Sequence, residues 1–280
     1  MKVSAVVPVY NSVNTLERAI NSLLLQPEIN EIFIVDDGST DGSYELATKL
    51  ELEYSLVKLL THTNRQNLGA SASRNLGLKY CSNNWIQFLD ADDELLLEKI
   101  SKQLSLLGDN VSLVVSNSIW INNKRTLNVF HSSDLWGDLI LARLGNTCSN
   151  LWSKKAILNS GGWNESLINT QEYDLMFRIS KQNPNIVFDS NFNTIVYEVP
   201  NSISRSNHLI NIKFENQVKL RKEIFEYLKD SNLLSFKYLL YINGYLGTLR
   251  RNYKKKEFND FNFFYYLIFK VNKSITDRFK

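Results

Sequence analysis

The chain has 280 residues, 44% hydrophobic and 12% aromatic, with a formal net charge of +3. This length and apolar content indicate a folded protein with a substantial core and exclude a disordered chain. Two cysteines, Cys81 and Cys148, are too few for a disulfide framework and favour a reducing compartment.

Taken in chain order, the first hundred residues alternate strand and helix. Val3 to Val9 is a near-continuous apolar run, the mark of a strand buried on both faces. It follows Met1-Lys2 directly, which leaves no room for a signal peptide. Asn14 to Leu25 reads as a capped helix, Glu31 to Val35 as a second strand, and the segment through Tyr44 and Leu50 as a second helix. Leu56 to Leu60, Ala70 to Tyr80 and Trp85 to Leu89 continue as strand, helix and strand, and a further helix is expected from Glu94. Such alternation predicts a parallel, twisted sheet with right-handed crossovers. Strands are expected at 112–116, 119–129 (with a turn at 122–123) and 192–198, and short helices at 134–143, 153–159 and 172–182. From Asn207 the chain reads as helices near 207–229, 231–250 and 257–276. The longest apolar run there, Phe263 to Phe269, is too short to span a bilayer, so a soluble chain is expected.

Charge divides the chain as well. Residues 1–204 hold 16 Lys and Arg against 22 Asp and Glu, and residues 205–280 hold 16 against 7. With Pro200-Asn201-Ser202 at the change, the expected organisation is a domain over 1–204, itself two halves (1–110 and 111–204), followed by a basic helical extension over 205–280.

Four polar clusters fall at expected strand carboxyl ends: Pro8-Val9-Tyr10-Asn11, Asp36-Asp37-Gly38-Ser39, Asn67 to Gly77, and Asp90-Ala91-Asp92-Asp93. In a parallel sheet they open onto one edge, where α/β sheets bind ligands. Tyr10 can stack on a base, Asp37 can accept from ring or ribose donors, and Gly69 with Arg74 at a helix start suits phosphates. Carboxylates as close as Asp90, Asp92 and Asp93 repel one another unless a cation lies between them, and hard divalent metals take such oxygen ligands. The plainer alternatives are helix caps for Asp92 or Asp93, Asx turns for Asp36 and Asp37, a surface Arg74 and a core Tyr10. Asp93 is the best cap. His62, His131 and His208 show no metal spacing or triad partner, and Cys148 has no sequence sign of a base. Neither GxGxxG after the first strand nor GxxxxGK[ST] is present, so neither a dinucleotide fold nor a P-loop is supported.

The order and spacing of these four motifs resemble the family 2 glycosyltransferases, inverting enzymes of the GT-A fold, over about residues 1–200. The resemblance implies a Rossmann-like, mostly parallel central sheet with flanking helices. It also implies a nucleotide-diphosphate-sugar donor (UDP-type), a divalent metal (Mn2+ or Mg2+), and a saccharide or polyprenyl-linked acceptor in surface polysaccharide synthesis. By motif matching, Pro8, Tyr10, Asn11, Asp37, Asn67, Gly69, Arg74, Asp90 and Ala91 meet the nucleotide sugar, and Asp92 meets the metal. Gly161, Gly162 and Trp163 border the acceptor. The resemblance also implies Glu172 as the general base, since an inverting transfer needs one base opposite the leaving nucleotide; the plainer alternative is a helix-start acid favoured by the dipole. Asp174 and Arg178, at i, i+4, read as a supporting pair. Relatives often place an Arg and a His where this chain has Glu198 and Pro200, which puts a third metal ligand and a phosphate-holding cation in question; either Arg205 or a residue of the tail substitutes, or the metal keeps more water. That departure keeps open a weakly active or non-catalytic binding subunit. A sugar nucleotidyltransferase is the other alternative, although its Gly-rich, Lys-bearing loop is missing.

Cations at 250–256 beside aromatics from Phe258 to Phe269 suit an anionic membrane surface better than nucleic acid; the plainer alternative packs the aromatics on the catalytic domain and leaves the lysines a solvated face. The expected location is cytoplasmic, peripheral at the inner face of the cell membrane, through residues 250–280. Oligomeric state is not legible.

Overall fold

A computed structural model describes residues 1–122, 125–198 and 209–276. The described residues fall into two compact units, drawn from Met1–His131, Leu144–Leu167 and Gln171–Pro200, and from Ser132–Arg143, Ile168–Thr170 and Asn201–Lys280. The boundary expected at 204/205 lies outside the described residues.

The elements run β1 (Val3–Val9), α1 (Leu16–Leu24), β2 (Ile29–Asp36), α2 (Ser43–Glu53), β3 (Val57–Thr61), α3 (Ala70–Tyr80) and β4 (Trp85–Phe88). They continue as β5 (Glu94–Leu95), α4 (Lys99–Ser105), β6 (Leu113–Asn122), β7 (Arg125–Val129), α5 (Leu135–Leu141), β8 (Leu151–Ser153), α6 (Lys154–Asn159), α7 (Gln171–Gln182) and β9 (Ile186–Tyr197). Three long helices follow: α8 (Ile210–Asp230), α9 (Phe236–Asn252) and α10 (Phe263–Thr276).

In the first unit the strands form one sheet in the order β3-β2-β1-β4-β8-β6-β9-β5, with β7 on β6. β1 through β4 are parallel. Antiparallel pairing enters with β8, β7 and β5, while β6 and β9 pair in parallel. Val3, Ala5, Val6, Val7 and Val9 are buried on both faces of β1, and Leu16, Ala19, Ile20 and Leu23 turn one stripe of α1 into the core.

The helix expected from Glu94 is corrected. Glu94 and Leu95 instead pair antiparallel with Ile195 and Thr194 of β9, and the helix begins only at Lys99, with Glu98 at its N-cap. Asp93 therefore caps nothing: long-range strand pairing overrides a locally helical pattern. The strand expected at 192–198 is the end of a longer β9 that starts at Ile186 and runs beside β6 through register shifts near Asn117.

In the second unit, Trp136 of α5 lies 5.3 Å from Tyr227. Arg221 Nε donates to Ile140 O at 3.1 Å, with its guanidinium 4.1 Å from the Tyr245 ring. Lys237 and the Tyr238 hydroxyl both reach Asp134, at 2.6 and 2.8 Å. α10 crosses α9 at Gly244 and Gly247, where an added Cβ would run into the rings of Phe269 and Tyr266. Among the described residues no helix is long and apolar enough to cross a membrane.

Candidate active site

The carboxyl ends of β1, β2 and β4 form one edge, and short polar side chains fix its loops. Asn11, in the left-handed region (φ +50), accepts from Thr40 N at 2.8 Å while its own N–H donates to Ser39 Oγ at 3.1 Å. Asp36 accepts from the N–H groups of Gly38 and Ser39. Asp37 is buried and accepts from Leu68 N at 2.7 Å and Gly69 N at 2.9 Å. Burial raises its pKa, against the lowering pull of those two N–H groups. Gly38 (φ +78) turns so tightly that a Cβ would sit 2.6 Å from Arg65 O. Tyr10 is exposed, Pro8 is half-buried in β1, and Asn67 is exposed on the loop that Asp37 holds.

Gly69 is the N-cap of α3, whose next turns carry the residues that join the site. The buried Arg74 donates through Nη2 to Asp90 Oδ1 at 2.5 Å and through Nη1 to Gln171 Oε1 at 3.3 Å. One guanidinium thus ties the acidic turn to the start of α7, beside Glu172. Its neighbour Asn75 donates to Trp163 O and Glu165 Oε1 and accepts from Trp163 N, clamping the Gly161-Gly162-Trp163 turn onto α3. Trp163, expected beside an acceptor, is only 2% exposed. Its ring is wedged against Phe88 and Trp152, with the Arg74 guanidinium 4.7 Å above it. The Asp174–Arg178 pair forms at 2.6 Å, and Arg178 also donates to Ser160 O, bracing the glycine turn from α7.

The acidic turn is crowded. Ala91 is buried, and ligand atoms of Asp90, Asp93 and Cys148 lie within 4.8 Å of one another. Burial, then the charge of Asp90, lifts the Asp92 carboxyl to about 6. Burial, then Asp90 and Asp92, raises Asp93 well above the carboxylate range. Asp93 accepts from Tyr197 N at 3.1 Å, and Arg18 donates to Asp92 O while its guanidinium lies 3.9 Å from the Tyr197 ring. Arg18 thus reaches only the backbone oxygen, and among the described residues the Asp92 carboxylate accepts only from its own N–H. Carboxylates so burdened by burial and by one another suit a hard divalent cation, although the converging ligand atoms are those of Asp90, Asp93 and Cys148 and Asp92 is not in that group. Burial pushes the Cys148 thiol up, which makes it inert rather than nucleophilic. Glu198 accepts from Asn122 Nδ2 at 2.8 Å; Pro200 and Arg205 lie outside the described residues.

A family model described as Glycosyl transferase family 2 matches residues 4–179. The chain belongs to glycosyl transferase family 2. Among curated relatives of this family, UDP-Glc:alpha-D-GlcNAc-diphosphoundecaprenol beta-1,3-glucosyltransferase WfgD of Escherichia coli is 30% identical over 214 residues, covering 75% of this chain and 82% of WfgD. Among solved structures, S. aureus TarS in complex with UDP-GlcNAc matches with a TM-score of 0.71 at 16% identity, over 91% of this chain and 74% of that one. The mannosyltransferase PcManGT from Pyrobaculum calidifontis, in complex with GDP-Man and Mn2+, matches at 0.62 and 16%, over 89% and 73%. The fold is GT-A: a mixed α/β sheet with flanking helices, here with helices at the carboxyl end.

Four residues around this candidate site were given no role in it by the sequence. Asn75 sits inside a recognised motif but shows its role only through Trp163, 88 positions away. His62 is buried with Nε2 3.0 Å from Ser73 Oγ and 3.5 Å from Asp37. Tyr197 reaches back to the acidic turn. Lys99, fully buried, donates to Gln87 Oε1, and Gln87 in turn donates to Cys148 O beneath that turn. Burial lowers the Lys99 pKa to about 7.

Proposed function

We propose that this chain transfers a sugar with inversion from a UDP-sugar to a saccharide carried on a lipid, in the assembly of a surface polysaccharide. The observation that carries the reading is the Arg74 bridge from Asp90 to Gln171, because it unites the acidic turn with the helix start that bears Glu172. The name of WfgD supports a UDP-linked donor and a diphospholipid acceptor.

Glu172 accepts the proton of the acceptor hydroxyl as its oxygen attacks the anomeric carbon. The bond from that carbon to the donor phosphate breaks, and its electron pair leaves with the nucleoside diphosphate. A single displacement with one base inverts the anomeric centre. Arg74 orients Asp90, and the loop held by Asp37 places the amino end of α3 toward the phosphates. Tyr10 stacks on the base. The Gly161-Gly162 turn, fixed by Asn75 and floored by the buried Trp163, forms the acceptor side. Asp92, with Asp90 beside it, would hold Mn2+ or Mg2+, which when bound supplies positive charge for the departing diphosphate. The manganese complex of PcManGT supports that assignment.

The test is a thermal-stability screen of nucleotide sugars with and without manganese, followed by NMR of the product's anomeric configuration. Stabilisation by a UDP-sugar that needs the metal and is lost in Asp92→Ala is the expected result, with a product of opposite configuration to the donor. Pyrophosphate release from a nucleoside triphosphate would favour a nucleotidyltransferase instead. Donor binding without transfer would favour a binding subunit.

A further inference from the structure

The last described helix has two apolar faces, only one of which is used. Tyr266 and Phe269 seat on Gly244 and Gly247 of α9, and Phe261 packs edge-on to Tyr266 at 5.7 Å. Away from that seam, Phe263, Phe264, Leu267 and Val271 are 58%, 66%, 43% and 61% exposed. Their spacing of i, i+1, i+4 and i+8 makes one continuous stripe along the helix. Large side chains left together in water mark an interaction surface. Among the described residues the aromatic run of the tail is therefore split into an inner half that packs and an outer half left largely exposed.

Charge selects the partner. Residues 250–273 carry seven Lys and Arg against two acids, and one of the acids, Asp260, is paired with Lys222 at 2.6 Å. Lys270 stands on the exposed side of α10, seven residues from Phe263, and Lys273 follows it. A second copy would bring the same positive charge to the stripe and repel. An anionic bilayer meets both features: the apolar side chains enter the interface while the ammonium groups reach back to the lipid phosphates.

We propose that the outer face of α10 is a docking surface for an anionic lipid bilayer. Its biological use rests on the lipid-linked acceptor proposed above. Docking would hold the enzyme in the plane that such an acceptor occupies.

The test is co-sedimentation of the full chain with phosphatidylcholine vesicles, with and without phosphatidylglycerol, at low and high salt. Wild type should bind the anionic vesicles and release with salt. Phe264→Ser with Leu267→Ser, which keeps every charge, should weaken binding at least about tenfold. Lys270→Gln should weaken it and flatten the salt dependence. Unchanged melting temperature in these variants excludes loss of fold as the cause. Binding to anionic vesicles that is indifferent to the double variant overturns the proposal, as does no vesicle binding by wild type. A dimer in sedimentation velocity that the double variant dissolves, with vesicle binding unchanged, makes the stripe a self-interface and overturns it too. UDP-sugar stabilisation and transfer to a water-soluble acceptor should be the same in all of these variants. Their failure in wild type would sink the catalytic reading and leave docking standing.

Discussion

At the ends of β1, β2 and β4 the backbone is held by short polar side chains. Asn11, Asp36 and Asp37 each accept from N–H groups of loops that carry no regular structure. Among α5, α8, α9 and α10 the cohesion leans the other way, on tilted and edge-on ring pairs and two glycines that admit Phe269 and Tyr266, with the polar ties of Arg221 and Asp134 beside them. A donor site must offer fixed dipoles to a charged ligand, so its loops cannot rest on apolar burial and are bought with buried carboxylates. The helical unit faces no such demand, and shape decides it. Changes of charge should therefore damage the first region and changes of volume the second.

The largest stability effect that breaks this contrast is expected from Asp37→Ala. It strands the N–H groups of Leu68 and Gly69, and urea denaturation should show a loss of about 3 kcal/mol together with weaker UDP-sugar binding. Gly244→Ala should come next, costing about 2 kcal/mol by overpacking against Phe269. Its nucleotide binding, measured by calorimetry, should not change. The smallest effect sharpens the contrast by pH. Lys99 is neutral in the folded chain above about 7 but keeps its proton in the unfolded chain up to its ordinary 10.5. The unfolded state binds the extra proton in that window, so this group makes stability rise with pH from 7, while below 7, where both states hold the proton, its cost is greatest and does not vary with pH. Between pH 7 and 8 wild type should gain about 1 kcal/mol on Lys99→Met, read from paired melting curves.

The legible parts of the fold were those written locally. Val3–Val9 and Ala70–Tyr80 match their expected bounds because an unbroken apolar run and a clean helical stripe leave no competing structure. Glu94-Leu95 was misread because its helical pattern is real, and only Thr194 and Ile195, a hundred residues on, make it a strand. The site divides the same way. Clustered Asp90, Asp92 and Asp93 read on their own as either a cation site or a helix cap, and only the pairing of Glu94-Leu95 with β9 removes the cap. Asn75, His62 and Tyr197 are ordinary polar residues until folding brings Trp163, Asp37 and Asp93 to them. Burial of Trp163 was equally hidden, since a tryptophan after two glycines looks the same whether it lines a cleft or floors one.

The central claim is that Glu172 takes the acceptor proton. The most direct measurement compares initial rates of sugar transfer by wild type and Glu172→Gln at saturating UDP-sugar and manganese. Transfer should fall by at least about 100-fold, with melting temperature and UDP-sugar affinity unchanged. A Glu172→Gln enzyme that transfers at the wild-type rate would contradict the mechanism.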